Sequence, residues 1–247
     1  MIDFHTHVLP GIDDGSRNVE MTVSMIAEEL AQGVEEVIAT PHFYANRSSI
    51  DQFLERRERA RKKMTEALAF SDIQKPPYIR TGAEVYYFPG MGRAERLPQL
   101  CIEGTRTILI EMPFEQWKSD ILRDLRDVLE RQKLTVVLAH IERYPEFQRD
   151  DRVWDEVMHL PVIPQINTGS FLKKKGGLFS RDKKRKFCMQ YLGRHPEAIL
   201  GSDCHNLTSR RPNLADGRAE IEKELGAEVL EKVDKITRKV LDNTKHE

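Results

Sequence analysis

Seven short apolar runs rich in β-branched residues recur along the chain: Met1–Phe4, Val34–Ala39, Tyr78–Gly82, Arg106–Ile110, Leu134–Ala139, Val162–Ile166 and Ala198–Gly201. Between most of them lie amphipathic stretches of helical period, at Glu20–Gln32, Ser49–Phe70, Ser119–Gln132 and Arg181–Arg194. Asn18 and Ser180 stand where N-caps of two of these helices are expected. Strand–helix alternation with short connections implies a mostly parallel sheet, and seven repeats imply a closed or distorted barrel. A length of 247 residues suits one α/β domain of that kind. The expectation is therefore a single domain over residues 1–247 with a distorted (β/α)7 barrel, similar to a TIM barrel. Two further helices are expected in the tail, around Asp216–Leu225 and Glu228–Leu241, packed outside the barrel.

Every one of the seven runs leads into polar residues. The first enters His5-Thr6-His7 and a loop, Gly11-Ile12-Asp13-Asp14-Gly15-Ser16; the second ends at His42. The third ends at Glu84, the fourth at Glu111, the fifth at His140, the sixth at Asn167 and the seventh at Asp203-Cys204-His205. In a parallel barrel all these ends converge on one mouth, where catalytic groups gather. Side chains two apart in a strand share a face, so His5 and His7 can grip one ion. A lone H-x-H is ordinarily just two imidazoles, and any one strand-end carboxylate is ordinarily a cap. Seven ends out of seven is a different observation.

The set comprises five imidazoles (His5, His7, His42, His140, His205) and four carboxylates (Asp14, Glu84, Glu111, Asp203). Mixed nitrogen and oxygen donors without thiolates suit Mn²⁺, Fe²⁺ or Zn²⁺ and disfavour Ca²⁺. Nine donors exceed the needs of one ion and suffice for two or three. Asp13 rivals Asp14 for its place. His159, His195 and His246 fall in helix or tail contexts and are read as structural.

Composition removes other classes. The formal net charge is −1, which gives no general attraction to nucleic acid or an anionic membrane. No apolar run approaches the ~20 residues of a membrane span. No basic segment followed by an apolar stretch opens the sequence, so no signal peptide is expected. Cys101, Cys188 and Cys204 show no C-x-x-C spacing and cannot all pair, which points to a reducing cytoplasm. No feature sets an oligomeric state.

The segments DFHTHVLPGIDDGS, TPHF, TGAEVYY, LIEMP, LAHIERY, QINTGS and GSDCHN, spread from residue 3 to residue 206, resemble the polymerase-and-histidinol-phosphatase (PHP) superfamily. Within it the chain is most similar to the bacterial manganese-dependent protein-tyrosine phosphatases of capsule and exopolysaccharide loci. The resemblance implies a distorted seven-stranded barrel with up to three ions, Mn²⁺ above all. It places His5, His7 and Asp203 on the first ion, with Glu84 bridging to a second that Glu111 and His140 complete. Asp14, His42 and His205 would hold the third. It also implies phosphate-binding roles for Arg143 and Arg210, with Arg211 as the neighbour that competes for the second role. Arginine suits planar, two-pronged contact with a phosphoryl group. The implied substrate is a phosphotyrosine protein, namely an autophosphorylated bacterial tyrosine kinase with a C-terminal tyrosine cluster.

The chemistry expected is direct hydrolysis. Water between two divalent cations loses a proton near neutral pH and attacks phosphorus in line, with no phosphoenzyme. Cys204 and Arg210 have the C-x5-R spacing of cysteine-dependent phosphatases, yet the intervening His-Asn-Leu-Thr-Ser has no glycine for a phosphate nest, so a thiolate mechanism is not expected. Two alternatives remain: hydrolysis of a small phosphomonoester such as histidinol phosphate, and a non-catalytic metal-bound regulator. The basic segments Lys173–Lys175 and Arg181–Lys186 are either contacts for an acidic substrate tail or a solvated face.

Overall fold

The computed structural model describes residues 1–173 and 180–242, with residues 180–182 as backbone only. The strands are β1 (Ile2–Thr6), β2 (Glu36–Ala39), β3 (His42–Phe43), β4 (Tyr78–Thr81), β5 (Glu84–Tyr86), β6 (Thr107–Glu111), β7 (Thr135–Leu138), β8 (Ile163–Asn167) and β9 (Ile199–Gly201). The helices are α1 (Val19–Ala31), α2 (Ile50–Ala69), α3 (Ser119–Arg126), α4 (Arg152–Met158), α5 (Ser180–Arg194), α6 (Leu214–Leu225) and α7 (Ala227–Leu241). Every strand pairing is parallel, in the order β1-β2-β4 and β3-β5-β6-β7-β8-β9.

β2 and β3 form one strand line broken at Thr40-Pro41, and β4 and β5 another broken at Gly82-Ala83. The lower halves continue the sheet from β1 (β1-β2-β4), and the upper halves lead through β5 into β6 (β3-β5-β6). Bonds from Gly82 N to Ala39 O (2.8 Å) and Glu84 N to Pro41 O (3.0 Å) carry the register across both breaks. Pro41 has no N–H to give to a ladder, which accounts for the first interruption. The ring closes beyond β9, where Asp203 N donates to His5 O (2.7 Å) and His7 N donates to Cys204 O (2.9 Å). Counted by lines there are seven strands, as the alternation requires. The short segments β3 and β5 were not separable in the sequence from the loops after β2 and β4.

Alternate strand residues face two apolar layers. Val37, Ile108, Val136, Leu138 and Leu200 pack outward with helix residues such as Met25, Ile26, Leu125 and Leu192. Phe4, Ile38, Leu109, Val137 and Ile199 fill the lumen. Full burial of each such side chain contributes roughly 1.5–3 kcal/mol. The floor of the lumen is α7: Val240 and Leu241 join the inner cluster, and Thr107 Oγ1 donates to Val240 O at 2.7 Å. The last helix thus plugs the barrel rather than only packing outside it. With an apolar cluster above this floor, the candidate donors lie in the upper half.

Local signals behave as their chemistry dictates. The Asn18 side chain caps α1 by accepting from Met21 N at 2.9 Å, and Ser49 and Gln52 form a reciprocal capping box on α2. Ser180 is the first residue of α5, not its cap. The helix expected over 119–132 is α3 followed by a wider π turn at Asp127–Arg131. α4, only two turns long, left no periodic signal. Of the basic segments, Lys174 and Lys175, like His246, lie outside the described residues, as does the side chain of Arg181. Lys173 and Arg185 pair with Glu220 and Glu224, and Lys184 with Glu146, so these three cations are engaged by the protein's own carboxylates.

Candidate metal centre

The upper half of the lumen gathers all nine candidate donors. His5, His7, Glu84, Glu111, His140, Asp203 and His205 are buried, His42 is mostly buried, and Asp14 stands at the rim with its side chain 66% exposed. His5 Nε2 lies 3.2 Å from His7 Nε2, 3.2 Å from Glu84 Oε2 and 3.6 Å from Asp203 Oδ1. His7 Nε2 lies 3.3 Å from Glu84 Oε2 and 3.4 Å from Asp203 Oδ1. The separations among His5, His7 and Glu84 match the edges of a coordination polyhedron, about 3.0–3.5 Å for ligands about 2.1 Å from a cation, and Asp203 Oδ1 stands beside both imidazoles though outside that mutually close trio.

Groups of donors within 4.8 Å of one another are His5, His7 and Glu84; His42, Glu84 and Glu111; and His7, Asp14, His42 and His205. His140 Nε2 approaches Glu84 Oε1 at 2.9 Å and Glu111 Oε1 at 3.4 Å. Glu84 sits in two of the groups, where the resemblance expects a bridging carboxylate. His42 and His7 each reach two groups, a sharing that the simple division among three ions does not include.

Hydrogen bonding tests the fit. Among the described residues eight buried side-chain atoms lack a hydrogen-bond partner, and five belong to this set: His42 Nδ1, Glu84 Oε2, Glu111 Oε2, His140 Nδ1 and His205 Nε2. Buried polar atoms are rarely left so. His42 Nδ1 and Glu84 Oε2 are 2.9 Å apart, yet they are not aligned as donor and acceptor. Misaligned proximity is the relation of two ligands around a shared cation. Donors and geometry both fit divalent metal.

The imidazoles are held from behind. His5 Nδ1 donates to Gln165 Oε1 (3.0 Å) and His7 Nδ1 to Asp13 Oδ2 (2.8 Å), which leaves each Nε2 lone pair facing the centre. Asp13 also accepts from Gly15 N (3.0 Å) and His42 N (3.0 Å). Both its oxygens are thereby engaged in hydrogen bonds, whereas Asp14 Oδ1 lies 3.4 Å from His42 Nε2 and 3.5 Å from His205 Nε2, within the third group. Burial would raise the Asp13 carboxyl, but the His7 imidazole outweighs it and holds the group below the usual carboxylate range. Burial likewise opposes ionisation of Glu84 and Asp203, and neighbouring imidazoles, with Arg143 and Arg210 at Asp203, still hold both well below it. The carboxylates in turn raise His7 and His42 despite burial, and hydrogen bonds to Glu111 and Glu84 bring His140 to about 9. Entry of a cation therefore displaces protons.

Gln165 and Asn167 link the centre into one network. Gln165 Oε1 accepts from His140 N (2.7 Å), its Nε2 donates to Asn167 Oδ1 (2.9 Å), and Asn167 Nδ2 donates to Asp203 Oδ2 (2.8 Å). The sequence reading passed over Gln165. Its signal was parity: it shares the inward face of β8 with Ile163 and Asn167, where a buried parallel strand is otherwise apolar. The backbone is distorted to serve the site. His140 (φ +33°) and Asp203 (φ +54°) occupy the left-handed region, at about 1–3 kcal/mol each. Close approach fixes two glycines, since a Cβ on Gly15 would lie 2.3 Å from His7 O and one on Gly201 2.6 Å from His5 Cβ.

Arg143 Nη2 and Arg210 Nη2 each reach Asp203 Oδ2 at 2.6 Å, with side chains 29% and 35% exposed, so both guanidinium groups border the donors and open to the mouth. Arg211 turns away, 3.6 Å from Asp216. Cys204 points to the opposite side of its strand. Fully buried, with Sγ 3.5 Å from Glu29 Oε1, its thiol is pushed well up by burial and by Glu29 and Asp3. His159 bonds its own helix at Asp155 O, and His195 packs at a tilt against Tyr191. A larger cavity of about 660 Å³ lies at the other end of the barrel, lined by Thr135, Ile163 and Ile236 among others, and takes in none of these donors.

The family described as capsular polysaccharide synthesis, CpsB/CapC, matches residues 1–241. The chain belongs to this family. It is 30% identical over 231 residues to the tyrosine-protein phosphatase CpsB of Streptococcus agalactiae serotype III (strain NEM316), covering 92% of each chain. It is 27% identical over 237 residues to the tyrosine-protein phosphatase YwqE of Bacillus subtilis (strain 168), covering 93% of this chain and 87% of that one. A chain from the crystal structures of YwqE from Bacillus subtilis and CpsB from Streptococcus pneumoniae, described as unique metal-dependent tyrosine phosphatases, superposes with a TM-score of 0.79 at 22% identity over 99% of this chain and 96% of that one. That likeness establishes the barrel fold of this CpsB/CapC family member.

Proposed function

We propose that this chain is a metal-dependent protein-tyrosine phosphatase, with His5, His7, Asp14, His42, Glu84, Glu111, His140, Asp203 and His205 as metal ligands and Arg143 and Arg210 as phosphate contacts. The observation that carries it is the convergence of nine donors, five atoms of them buried without hydrogen bonds, beside two guanidinium groups open to the mouth. The names of its relatives support the same activity. Mn²⁺ is the metal the family resemblance implies, and Fe²⁺ and Zn²⁺ suit the same ligands.

Bound there, divalent cations supply an activated water and neutralise the phosphoryl charge. The chain does the rest. Gln165 and Asp13 fix the His5 and His7 tautomers, and Asp203 divides its oxygens, Oδ1 toward the imidazoles and Oδ2 toward Arg143, Arg210 and Asn167. The arginines can then hand their Nη2 donors to non-bridging phosphoryl oxygens, which orients phosphorus for in-line attack. A phenol leaves readily because it ionises near pH ~10.

An aromatic rim favours phosphotyrosine over a small polar phosphomonoester. Phe114, 37% exposed, stacks on the His140 ring (centroids 5.9 Å, 19°). Tyr44 lies tilted against His42 (centroids 5.3 Å) and Tyr86 (5.5 Å). The partner that fits is an autophosphorylated tyrosine kinase governing capsule or exopolysaccharide synthesis, met in the cytoplasm, where three buried cysteines that form no disulfide are at home. The test compares a phosphotyrosine peptide, a phosphoserine peptide and histidinol phosphate on Mn²⁺-loaded protein. Selective hydrolysis of phosphotyrosine supports the proposal; preference for histidinol phosphate moves the chain to the small-substrate reading.

A further inference from the structure

A pocket of about 380 Å³ opens beside the third donor group, lined by Ile12, Asp13, Asp14, His42, Tyr44, Arg47, Ser48 and Arg56. Its inner wall is the metal centre, but its outer wall is cationic. Arg47 lies over the Tyr44 ring at 4.4 Å, and that ring itself lies against His42. Such cation–π contact holds an exposed guanidinium in place without using its N–H groups. Arg56 is steadied by one bond, Nη2 to Ser48 Oγ at 3.1 Å. Among the described residues neither arginine forms an ion pair, whereas nearby Arg61 and Arg96 pair with Glu58 and Asp51. Two guanidinium groups at the lip of a phosphatase site, positioned but not neutralised, keep their donors for an anion that arrives from solution.

Resting on the phosphatase reading, we propose that Arg47 and Arg56 form a second anion subsite. It would take an acidic side chain, a carboxylate or a second phosphoryl group, on the same peptide as the phosphotyrosine being hydrolysed. The pocket shares Asp13, Asp14 and His42 with the metal centre, and residues of an extended peptide advance about 3.3–3.6 Å each, so the anion expected there is one within a few positions of the phosphotyrosine. The Tyr44 ring lies between the two and offers the intervening backbone an apolar surface. Selection by this subsite works through substrate capture, so it acts on KM and weakens with salt.

The test uses Mn²⁺-loaded protein and four matched peptides: phosphotyrosine flanked by alanine, by glutamate, by lysine, and by a second phosphotyrosine. The glutamate and doubly phosphorylated peptides are expected to show a KM roughly three- to ten-fold below the alanine peptide at low salt. Arg47→Ala/Arg56→Ala should abolish that difference while leaving turnover of p-nitrophenyl phosphate, which has no flanking group, unchanged as a check on folding. Arg47→Glu/Arg56→Glu should reverse it in favour of the lysine peptide. The two anionic peptides tell carboxylate from phosphoryl preference. Equal KM values for all four peptides on active wild-type protein, or a preference that survives charge reversal, overturn the subsite. Absence of phosphotyrosine turnover on every peptide and on p-nitrophenyl phosphate instead overturns the phosphatase reading beneath it.

Discussion

Asp13→Asn separates a positioning carboxylate from a ligand. Asp13 accepts three hydrogen bonds: Gly15 N on Oδ1, and His7 Nδ1 and His42 N on Oδ2. An asparagine has one acceptor oxygen and one NH₂. With the oxygen toward His7 and His42, the NH₂ meets the Gly15 N–H donor to donor; flipped, it meets two donors. One lost bond at a buried position costs about 1–3 kcal/mol, and the negative charge that steadies the His7 imidazole goes as well. Loss of such an outer partner typically lowers metal affinity 10- to 100-fold, or about 1.4–2.7 kcal/mol. Calorimetric titration of chelator-stripped protein with Mn²⁺ measures this directly. Asp13→Asn should keep the wild-type stoichiometry with weaker binding, whereas Asp14→Asn should lose an ion or most of its affinity. If Asp13→Asn loses an ion and Asp14→Asn binds as wild type, the assignment is reversed and the hydrogen-bond reasoning fails.

Three further outcomes follow from the same geometry. Gln165→Leu leaves the His5 Nδ1–H and His140 N–H donors buried without acceptors, so chemical denaturation should show a loss of about 2–4 kcal/mol; a loss below about 0.5 would remove Gln165 from the network. Gly201→Ala forces a methyl to within 2.6 Å of His5 Cβ, with a stability cost of about 1–3 kcal/mol and weaker Mn²⁺ binding; unchanged melting would mean that β1 moves freely. Cys204, buried against Glu29, should react with a thiol reagent only after unfolding, and fast labelling of the native protein at that residue would contradict its placement.

What the sequence makes legible is set by local rules. Strand ends and helix starts are encoded within a few residues, so the run before His140 and the cap at Asn18 read directly. The mouth follows from topology, because parallel strands bring residues as distant as His5 and Asp203 together. Roles that depend on direction are not local. Asp13 and Asp14 are chemically alike and adjacent, and only the fold of the loop shows one turned to His7 and the other to the rim. Arg210 and Arg211 differ in the same way, one facing Asp203 and the other Asp216. Gln165 was hidden because its function is to hold, and a holding residue carries no motif. The sealing of the lumen by α7 depends on contacts between residues 107 and 240, beyond any periodicity.

The central claim is that the donors at the mouth make phosphotyrosine hydrolysis dependent on divalent metal and independent of thiol chemistry. The most direct measurement is turnover of a phosphotyrosine peptide by Cys204→Ser protein, first stripped by chelator and then given back Mn²⁺. Activity should be lost on stripping and restored by Mn²⁺ to the level of the unsubstituted protein. Activity that ignores the chelator but disappears with Cys204 would contradict the claim.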